Sequence, residues 1–349
     1  FIRYNDLVAD AKSLVFGYYG MATAKEGLGD FQGANDGYSK ALKLILDNLE
    51  KFHTFDIANV YTFRAPIKIK LKDTVGAIVD YSKALEILIE NEIEDEDEDK
   101  DKEAKLVELY ELRGALNRAF KDYDGSIDDY SKAVEILSEN EIEDKTNRLY
   151  QLYSNLSDIK EANNDLKGAI KEISKYIELS LTNKDNLNSI IGYSGRGYAF
   201  MSIDDYANAI DDFSRALGFK ALGLNLDDTD RLDINTGFST IYNYRGECYW
   251  NINDFNSAIE DFSEAIELHE DENYYTNRGE SLGEIGKYAE AMVDINKALE
   301  INPEYEWAYE ERGIIKKYLN DLEGACADWE ISKKLGYESV IELIEKNCN

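Results

Sequence analysis

Large apolar and small residues recur along this chain at the spacing of amphipathic helices. In residues 272–305, the small residues Gly279 and Ala291 stand among tyrosine, leucine and isoleucine at offsets of three, four and seven. Such offsets place each set on one face of a helix, and small residues allow two helices to cross closely. Gly286 separates the two apolar runs, and Pro303 ends the second. The stretch therefore predicts two helices joined by a tight turn.

The same unit recurs in eight copies. The fourth position is tyrosine in every copy, the eighth and twentieth are glycine, alanine or serine, and the twenty-fourth is always large. These spacings resemble the tetratricopeptide repeat, a 34-residue helix–turn–helix module. The resemblance implies an all-α, right-handed superhelical solenoid of antiparallel helix pairs that forms one domain over residues 1–349, closed by a capping helix at 338–347. The copies lie near residues 15–48, 58–91, 107–140, 150–183, 190–223, 239–271, 272–305 and 306–337.

Two insertions interrupt the array. Residues 90–103 hold ten acidic residues and two lysines, which predicts a solvated, mobile loop. A more specific interpretation is a calcium site or a docking strip for a basic peptide. Against the calcium site, the spacing lacks the central glycine and terminal glutamate of an EF-hand loop. The second insertion, 219–235, contains an acidic cluster from Asp227 to Asp230 that predicts a turn or helix cap rather than a metal site.

An arginine and an aspartate occur together in six copies. The arginine is at the seventh position and the aspartate at the twenty-third, and the two copies that lack this arginine also lack this aspartate. We expect an ion pair between the two helices, because the guanidinium fork can bind a carboxylate through two hydrogen bonds. A row of ligand-binding arginines is the alternative, and the matching acids disfavour it. The pairs are Arg64 with Asp80, Arg113 with Asp129, Arg196 with Asp212, Arg245 with Asp261, Arg278 with Asp294 and Arg312 with Asp328.

Other features predict local structure. Aspartate fills the sixteenth position in seven copies, where it can cap the second helix. Pro66 lies inside the first helix of the second copy and predicts a kinked or shortened helix. His53 and His269 are expected at the surface, at helix ends.

Cysteine usage predicts no disulfide framework. Cys248 and Cys326 fall inside helices, where cysteine behaves as a small apolar residue, and Cys348 completes an odd number. This usage favours a reducing compartment, and thus a cytoplasmic location. The chain begins at Phe1 rather than methionine, as a fragment or a processed protein would, and no signal-peptide pattern precedes the first copy.

Composition narrows the classes of partner. The net charge of −32 argues against nucleic acid and anionic membrane surfaces, and permits a basic partner. No apolar run reaches the roughly 18 residues of a membrane span. The sequence shows no catalytic constellation, no Cys–His metal spacing and no phosphate-binding glycine loop. We therefore expect a protein that is not an enzyme and that needs no cofactor or metal.

The family resemblance implies a concave groove lined by the first helix of each copy. Trp250, Tyr198 and Tyr318 are the expected anchors, since aromatic residues dominate binding hot spots, although packing between copies would also explain them. The lysine with which some family members bind a C-terminal carboxylate is absent from the fifth position of every copy. The expected function is a protein- or peptide-binding scaffold for a basic or polar segment; the alternative is a structural or assembly spacer that self-associates or packs through its ends. The expected groove residues are Arg118, Tyr198, Met201, Asn243, Glu247, Trp250, Glu280, Glu284 and Tyr318.

Overall fold

The computed structural model describes residues 2–90, 96–222 and 228–348, and every regular element in that part of the chain is helical. Short 3₁₀ turns cover Leu49–Lys51, Phe219–Leu222 and Glu338–Val340. The α-helices are α1 (Ile2–Gly27), α2 (Phe31–Leu46), α3 (Thr54–Lys70), α4 (Thr74–Glu90), α5 (Glu96–Ala119), α6 (Tyr123–Glu139), α7 (Lys145–Ala162), α8 (Leu166–Thr182), α9 (Asn186–Met201), α10 (Tyr206–Gly218), α11 (Asp228–Asn251), α12 (Phe255–Leu268), α13 (Glu272–Glu284), α14 (Tyr288–Ile301), α15 (Glu306–Tyr318), α16 (Leu322–Lys334) and α17 (Ile341–Asn347).

Two compact units divide the chain, residues 1–172 and residues 173–349. In the first unit, helices α1 to α7 pack in succession, each against the next. In the second unit, α9 to α16 do the same, and α17 packs on α16. The predicted all-α architecture of successive helix pairs is therefore confirmed, and a single continuous solenoid through both units stays a prediction.

The small residues of the repeat are required by close packing within each helix pair. A Cβ atom on Gly246 would lie 2.7 Å from the Phe262 ring, and one on Gly313 would lie 2.3 Å from the indole nitrogen of Trp329. Phe262 and Trp329 are both fully buried, so neither ring has space to move away. The eighth position is thus small because the twenty-fourth position fills the adjoining space.

The turn between paired helices has the same backbone conformation in all eight copies. Its last residue is left-handed, with φ between 58° and 79°, although only two copies place glycine there. Asparagine, aspartate or lysine adopts this conformation in the others, with a cost that glycine avoids. These residues are Gly29, Lys72, Lys121, Asn164, Asp204, Asn253, Gly286 and Asn320.

The predicted aspartate caps are confirmed in all seven copies. Each carboxylate accepts a hydrogen bond of 2.9–3.4 Å from the backbone N–H three residues later. This bond satisfies one of the free N–H groups at the start of a helix. The capping residues are Asp30, Asp73, Asp122, Asp165, Asp205, Asp254 and Asp321.

Three local expectations need correction. Helix α3 continues to Lys70 with Pro66 inside it, so it is not shortened, while a kink at Pro66 stays a prediction. The acidic insertion is not a loop throughout, because residues 96–103 form the start of α5, while 91–95 lie outside the described residues. In the second insertion, Asp228 to Asp230 begin α11 rather than form a separate turn; Asp227 lies outside the described residues, so the alternative of a helix cap stays a prediction. Both histidines are exposed at helix ends, as predicted.

The C-terminal segment differs most from its prediction. A 3₁₀ turn precedes the short α17, so 338–347 is not one helix. Val340 packs beside the buried Trp329. Cys348 reaches α16 and forms a disulfide with Cys326, at a Cα–Cα distance of 5.7 Å. The expectation of no disulfide was wrong because the sequence does not reveal that α17 folds back on α16. The cysteine argument for a reducing compartment therefore loses its basis.

Ala291→Leu should destabilise the second unit. Ala291 is fully buried, and its carbonyl faces Gly279 across the α13–α14 crossing. Leucine would overpack this crossing and lower the free energy of unfolding by about 1–3 kcal/mol. Urea denaturation followed by circular dichroism measures the effect, and Ala289→Leu on the exposed face of α14 is the matched control. Equal midpoints for the two variants would contradict this packing.

Candidate binding site

The recurring arginines form hydrogen bonds within the fold. Arg245 donates to both carboxylate oxygens of Asp261 at 2.7 and 2.6 Å, and to the hydroxyl of Ser214 at 2.9 Å. Its guanidinium also lies 5.6 Å from the ring centre of Tyr242. Arg245 therefore joins its own helix pair to the preceding one. The charge of Asp261 is satisfied, although burial raises its pKa against the lowering effect of Arg245.

All six predicted arginine–aspartate pairs repeat this geometry. Each arginine also donates to residue twenty-five of the preceding copy and lies 5.2–5.8 Å from the tyrosine at the fourth position. The fourth copy substitutes a Lys160–Glu172 pair at 2.7 Å. These arginines are thus occupied by structural hydrogen bonds, as predicted. The contact with position twenty-five gives that position a role that the sequence analysis overlooked. The acceptors at position twenty-five are Ser39, Ser82, Ser174, Ser214, Ser263 and Asn296.

A cavity of about 610 Å³ lies in the second unit, lined mainly by α11 and α13, with one residue each from α12, the α12–α13 turn and the first turn of α15. We call it the inner cavity. Four of the nine expected groove residues line it: Asn243, Glu247, Trp250 and Glu280. The other lining residues are Thr240, Tyr244, Asn251, Phe262, Asp271, Asn273, Tyr274, Asn277 and Trp307.

A hydrogen-bonded network forms one wall of the inner cavity. Asn277 donates to the side-chain oxygen of Asn243 at 2.8 Å, and Asn243 donates to Glu247 at 2.6 Å. Burial raises the pKa of Glu247, and the hydrogen bonds from the two asparagines partly offset that effect. These contacts link α11 to α13 and hold the amide groups in fixed orientations.

Further carboxylates continue from this cavity along α13 and α15. Burial raises the pKa of Glu280 to about 7, and the charges of Glu284 and Glu310 add to the effect. Glu311 is only 7% exposed, and burial, reinforced first by Glu280 and then by Glu310, raises its pKa to about 8. In the described part of the chain, none of these four carboxylates lies within 4.0 Å of a Lys or Arg nitrogen. The result is an acidic group without a basic partner.

Trp250 contributes an unusual polar atom to the inner cavity. Its indole nitrogen is buried, yet it has no hydrogen-bond acceptor among the described residues. The ring packs edge-on against Phe255, with 6.4 Å between centroids. A buried donor without an acceptor costs about 1–3 kcal/mol, so this N–H group is a local cost in the packing around α11.

The remaining expected groove residues do not line the cavity. Tyr198 is 44% exposed and lies against Tyr244, and Met201 packs on the core around α9 to α11. Tyr318 is 60% exposed and stacks on Tyr288 at 5.0 Å.

Glu284 and Arg118 also lie apart from the cavity lining. Glu284 is exposed on α13 beyond the lining residues. Arg118 belongs to the first unit, where it contacts Asn155 and Asp158. The expected residues therefore do not form one site, and only the four in the cavity are brought together.

Sequence reasoning missed several lining residues. Trp307 lies in the first helix of its copy, the helix that the family resemblance expects to line the groove, so it could have been found. Tyr244 and Asn277 occupy the sixth position, for which the repeat pattern offered no signal.

Neither a metal site nor a membrane span is found in the described residues. Over 2–90, 96–222 and 228–348, no three His, Cys, Asp or Glu side chains are grouped so that they could hold a metal ion. Within those same ranges, no helix combines the length and the apolar character needed to cross a bilayer.

Helix pairs that repeat along a chain, each packed on the next, define a helical-repeat protein. Residues 239–272 and 272–305, which include α12 to α14 and most of the inner cavity, match the family model of the tetratricopeptide repeat. These two copies therefore match the tetratricopeptide repeat, as their sequence pattern predicted. No curated protein matched the sequence.

Solved structures of tetratricopeptide repeat proteins are similar to parts of the chain. YrrB, described as a TPR protein with an unusual peptide-binding site, is 20% identical, with 62% of this chain and 97% of that chain covered and a TM-score of 0.44. MamA from Desulfovibrio magneticus RS-1 is 15% identical, with 54% and 94% covered and a TM-score of 0.44. The first TPR of Spaghetti, bound to an HSP90 peptide, is 25% identical, with 30% and 82% covered and a TM-score of 0.29.

Proposed function

We propose that this protein is a non-enzymatic scaffold that binds a peptide segment of a partner protein in the inner cavity. The observation that carries the proposal is the composition of the cavity lining. Two tryptophans supply apolar anchors, and several asparagine amides can both donate to and accept from a peptide backbone. The lining combines five aromatic rings with eight polar or charged side chains, so hydrogen bonds would orient a ligand that the rings hold.

The charge of the lining favours a basic segment. Glu247, Asp271 and Glu280 are among the lining residues, which include no lysine or arginine. A cationic partner would be attracted by the protein's net charge of −32, which accelerates encounter more than it adds affinity. Affinity would come mainly from Trp250 and Trp307, because desolvated aromatic anchors dominate binding energies.

Selection of peptides tests this function. We expect a phage-displayed library of random decapeptides to yield binders, and Trp250→Ala to weaken their Kd about 10- to 100-fold, since anchor truncation typically costs about 2 kcal/mol. Fluorescence polarisation with the selected peptides measures Kd. Phe16→Ala is the control, because Phe16 is an aromatic residue that is 65% exposed in the first unit.

Two results would contradict the proposal. One is the recovery of no binding peptide, and the other is an equal loss of affinity in Trp250→Ala and Phe16→Ala. A spacer that self-associates is the second candidate, because α1 exposes Phe16, Met21 and the adjoining Leu28 by 53–86%. Light scattering on the same samples would then show an oligomer, and Phe16→Ala would reduce its size.

A further inference from the structure

The C-terminal segment folds back on the last helix pair and is tied there by a disulfide. Gly336 follows α16 with φ at 107°, a backbone conformation that favours glycine, and this lets the chain reverse its direction. Cys348 then bonds to Cys326 on α16, across a sequence separation of 22 residues. We call residues 337–348 the C-terminal strap.

The strap covers the outer surface of the last helix pair. Val340 and Trp329 are both fully buried and belong to one apolar cluster. Leu343 and Ile344 of α17 pack against this cluster, as does Ile314 of α15. Elsewhere in the second unit, α13 packs on α12 and α15 packs on α14, so the second helix of one copy is covered by the next copy. The strap takes this place on α16.

The noncovalent contacts of the strap hold it only weakly. None of the seven residues of α17 is buried. A helix this short is marginal in water, because few hydrogen bonds offset the ordering of its backbone. Ser339 donates to the Glu310 carboxylate at 3.0 Å, but the bond is exposed and water competes for both groups. The disulfide is therefore the main attachment of the strap, because it limits how far the segment can move when these contacts open.

The disulfide is also accessible to a reductant. Cys326 and Cys348 are both partly exposed, whereas the free Cys248 is fully buried in α11. Exchange with a thiol requires that a thiolate reach one sulfur of the disulfide. The Cys326–Cys348 bond meets this requirement in the folded protein.

The last helix pair has contacts of its own that do not involve the strap. Arg312 donates to both carboxylate oxygens of Asp328 at 2.9 and 2.7 Å. Ser332 donates to the backbone carbonyl of Glu306 at 2.8 Å. These bonds join α15 to α16 whether or not the strap is in place, so opening of the strap is a local event.

We propose that the Cys326–Cys348 disulfide is a redox-sensitive latch, which a dithiol reductant opens to release the C-terminal strap while α15 and α16 stay folded. One thiolate of the dithiol attacks a sulfur and breaks the S–S bond, and the second thiol resolves the mixed disulfide. Two electrons and two protons pass to the cysteines, which become thiols, and the dithiol becomes a disulfide. The release uncovers Trp329, and it does not depend on a peptide in the inner cavity.

Hydrogen–deuterium exchange with mass spectrometry tests the latch. The full chain is compared with and without dithiothreitol, in buffer that contains no denaturant. We expect exchange of the backbone amides in residues 337–348 to accelerate roughly a hundredfold on reduction, since a crosslink over a loop of this length favours the closed state by about that factor. The amides of α13 to α15 should change by less than about twofold, as for a local opening.

Cysteine variants separate the latch from a general effect of the reductant. Cys348→Ser should exchange like the reduced wild type and should not respond to dithiothreitol. Cys248→Ala removes the free cysteine instead and should keep the wild-type response. Alkylation in denaturant followed by mass mapping counts the thiols, and we expect one in the air-oxidised protein and three after reduction.

Several outcomes would overturn the inference. Equal exchange of residues 337–348 in the two redox states would mean that noncovalent contacts hold the strap. A comparable acceleration in α13 to α15 would mean that the disulfide supports the whole unit rather than the strap. Three thiols in the air-oxidised protein, or a disulfide that dithiothreitol reduces only after denaturant is added, would mean that the folded protein has no such latch.

Discussion

Arg245→Ala is expected to lower the free energy of unfolding of the second unit by about 3 kcal/mol, the lower end of the range for breaking a buried ion pair. The substitution leaves the carboxylate of Asp261, which is 4% exposed, without its two strongest donors. It also removes the hydrogen bond to Ser214, which connects neighbouring helix pairs. The effect should therefore reach beyond one pair and shift the urea midpoint of the whole unit.

The matched control is Arg215→Ala. Arg215 pairs with Asp211 four residues earlier at 2.8 Å, and both side chains are more than half exposed. Exposed pairs of this kind contribute at most about 1 kcal/mol. A further variant, Arg245→Leu with Asp261→Leu, replaces the pair by apolar residues and should recover part of the loss, because no buried charge then remains unpaired. An Arg245→Ala midpoint no lower than that of Arg215→Ala would contradict the proposed role of the arginines.

Glu311→Gln should stabilise the protein at pH 8 by an amount on the order of 3 kcal/mol and have little effect at pH 5. The pKa of Glu311 is raised from the ordinary value of 4.5 to about 8. A group with a raised pKa in the folded state contributes stability that is fully present below the unfolded pKa and is lost as pH rises through the folded pKa. The wild type should therefore lose stability between about pH 4.5 and pH 8, and the glutamine variant should lose less.

Thermal unfolding between pH 5 and pH 8 measures this difference. Glu267→Gln serves as the control, since Glu267 is exposed on α12 and its substitution changes only the net charge. The variant's profile should keep some slope, because the pKa of Glu280 is also raised, to about 7. Parallel profiles for the wild type and Glu311→Gln would show that Glu311 ionises normally in the folded protein.

Much of the repeat could be predicted because each unit has the same local requirements. Gly246 has no side chain because the Phe262 ring fills that space where the paired helices cross. Asp254 caps the helix that starts beside it. Joint occurrence of Arg245 and Asp261 was sufficient to predict their contact, since neither residue has another reason to accompany the other in six copies.

The candidate site was predicted only in part. Glu247, Trp250 and Glu280 were expected because the repeat position sets the helix face on which a residue lies. Tyr198 and Tyr318 were expected on the same grounds, but neighbouring tyrosines take up one side of each ring. The helix face alone does not say which exposed residues share a cavity, because that depends on the distances between helices.

The amino-acid sequence by itself determined the helix pairs, their turns, their caps and the ion pairs that join them, because these depend on contacts at constant spacing within a repeating unit. Only the tertiary structure decided that α17 folds back to form the Cys326–Cys348 disulfide, and that Glu280 and Glu311 lie among other carboxylates away from basic side chains. The carboxylates come from different copies, and the disulfide joins the last copy to the segment that follows it. The disulfide and the carboxylate group both arise from packing beyond a single copy rather than from the pattern within one.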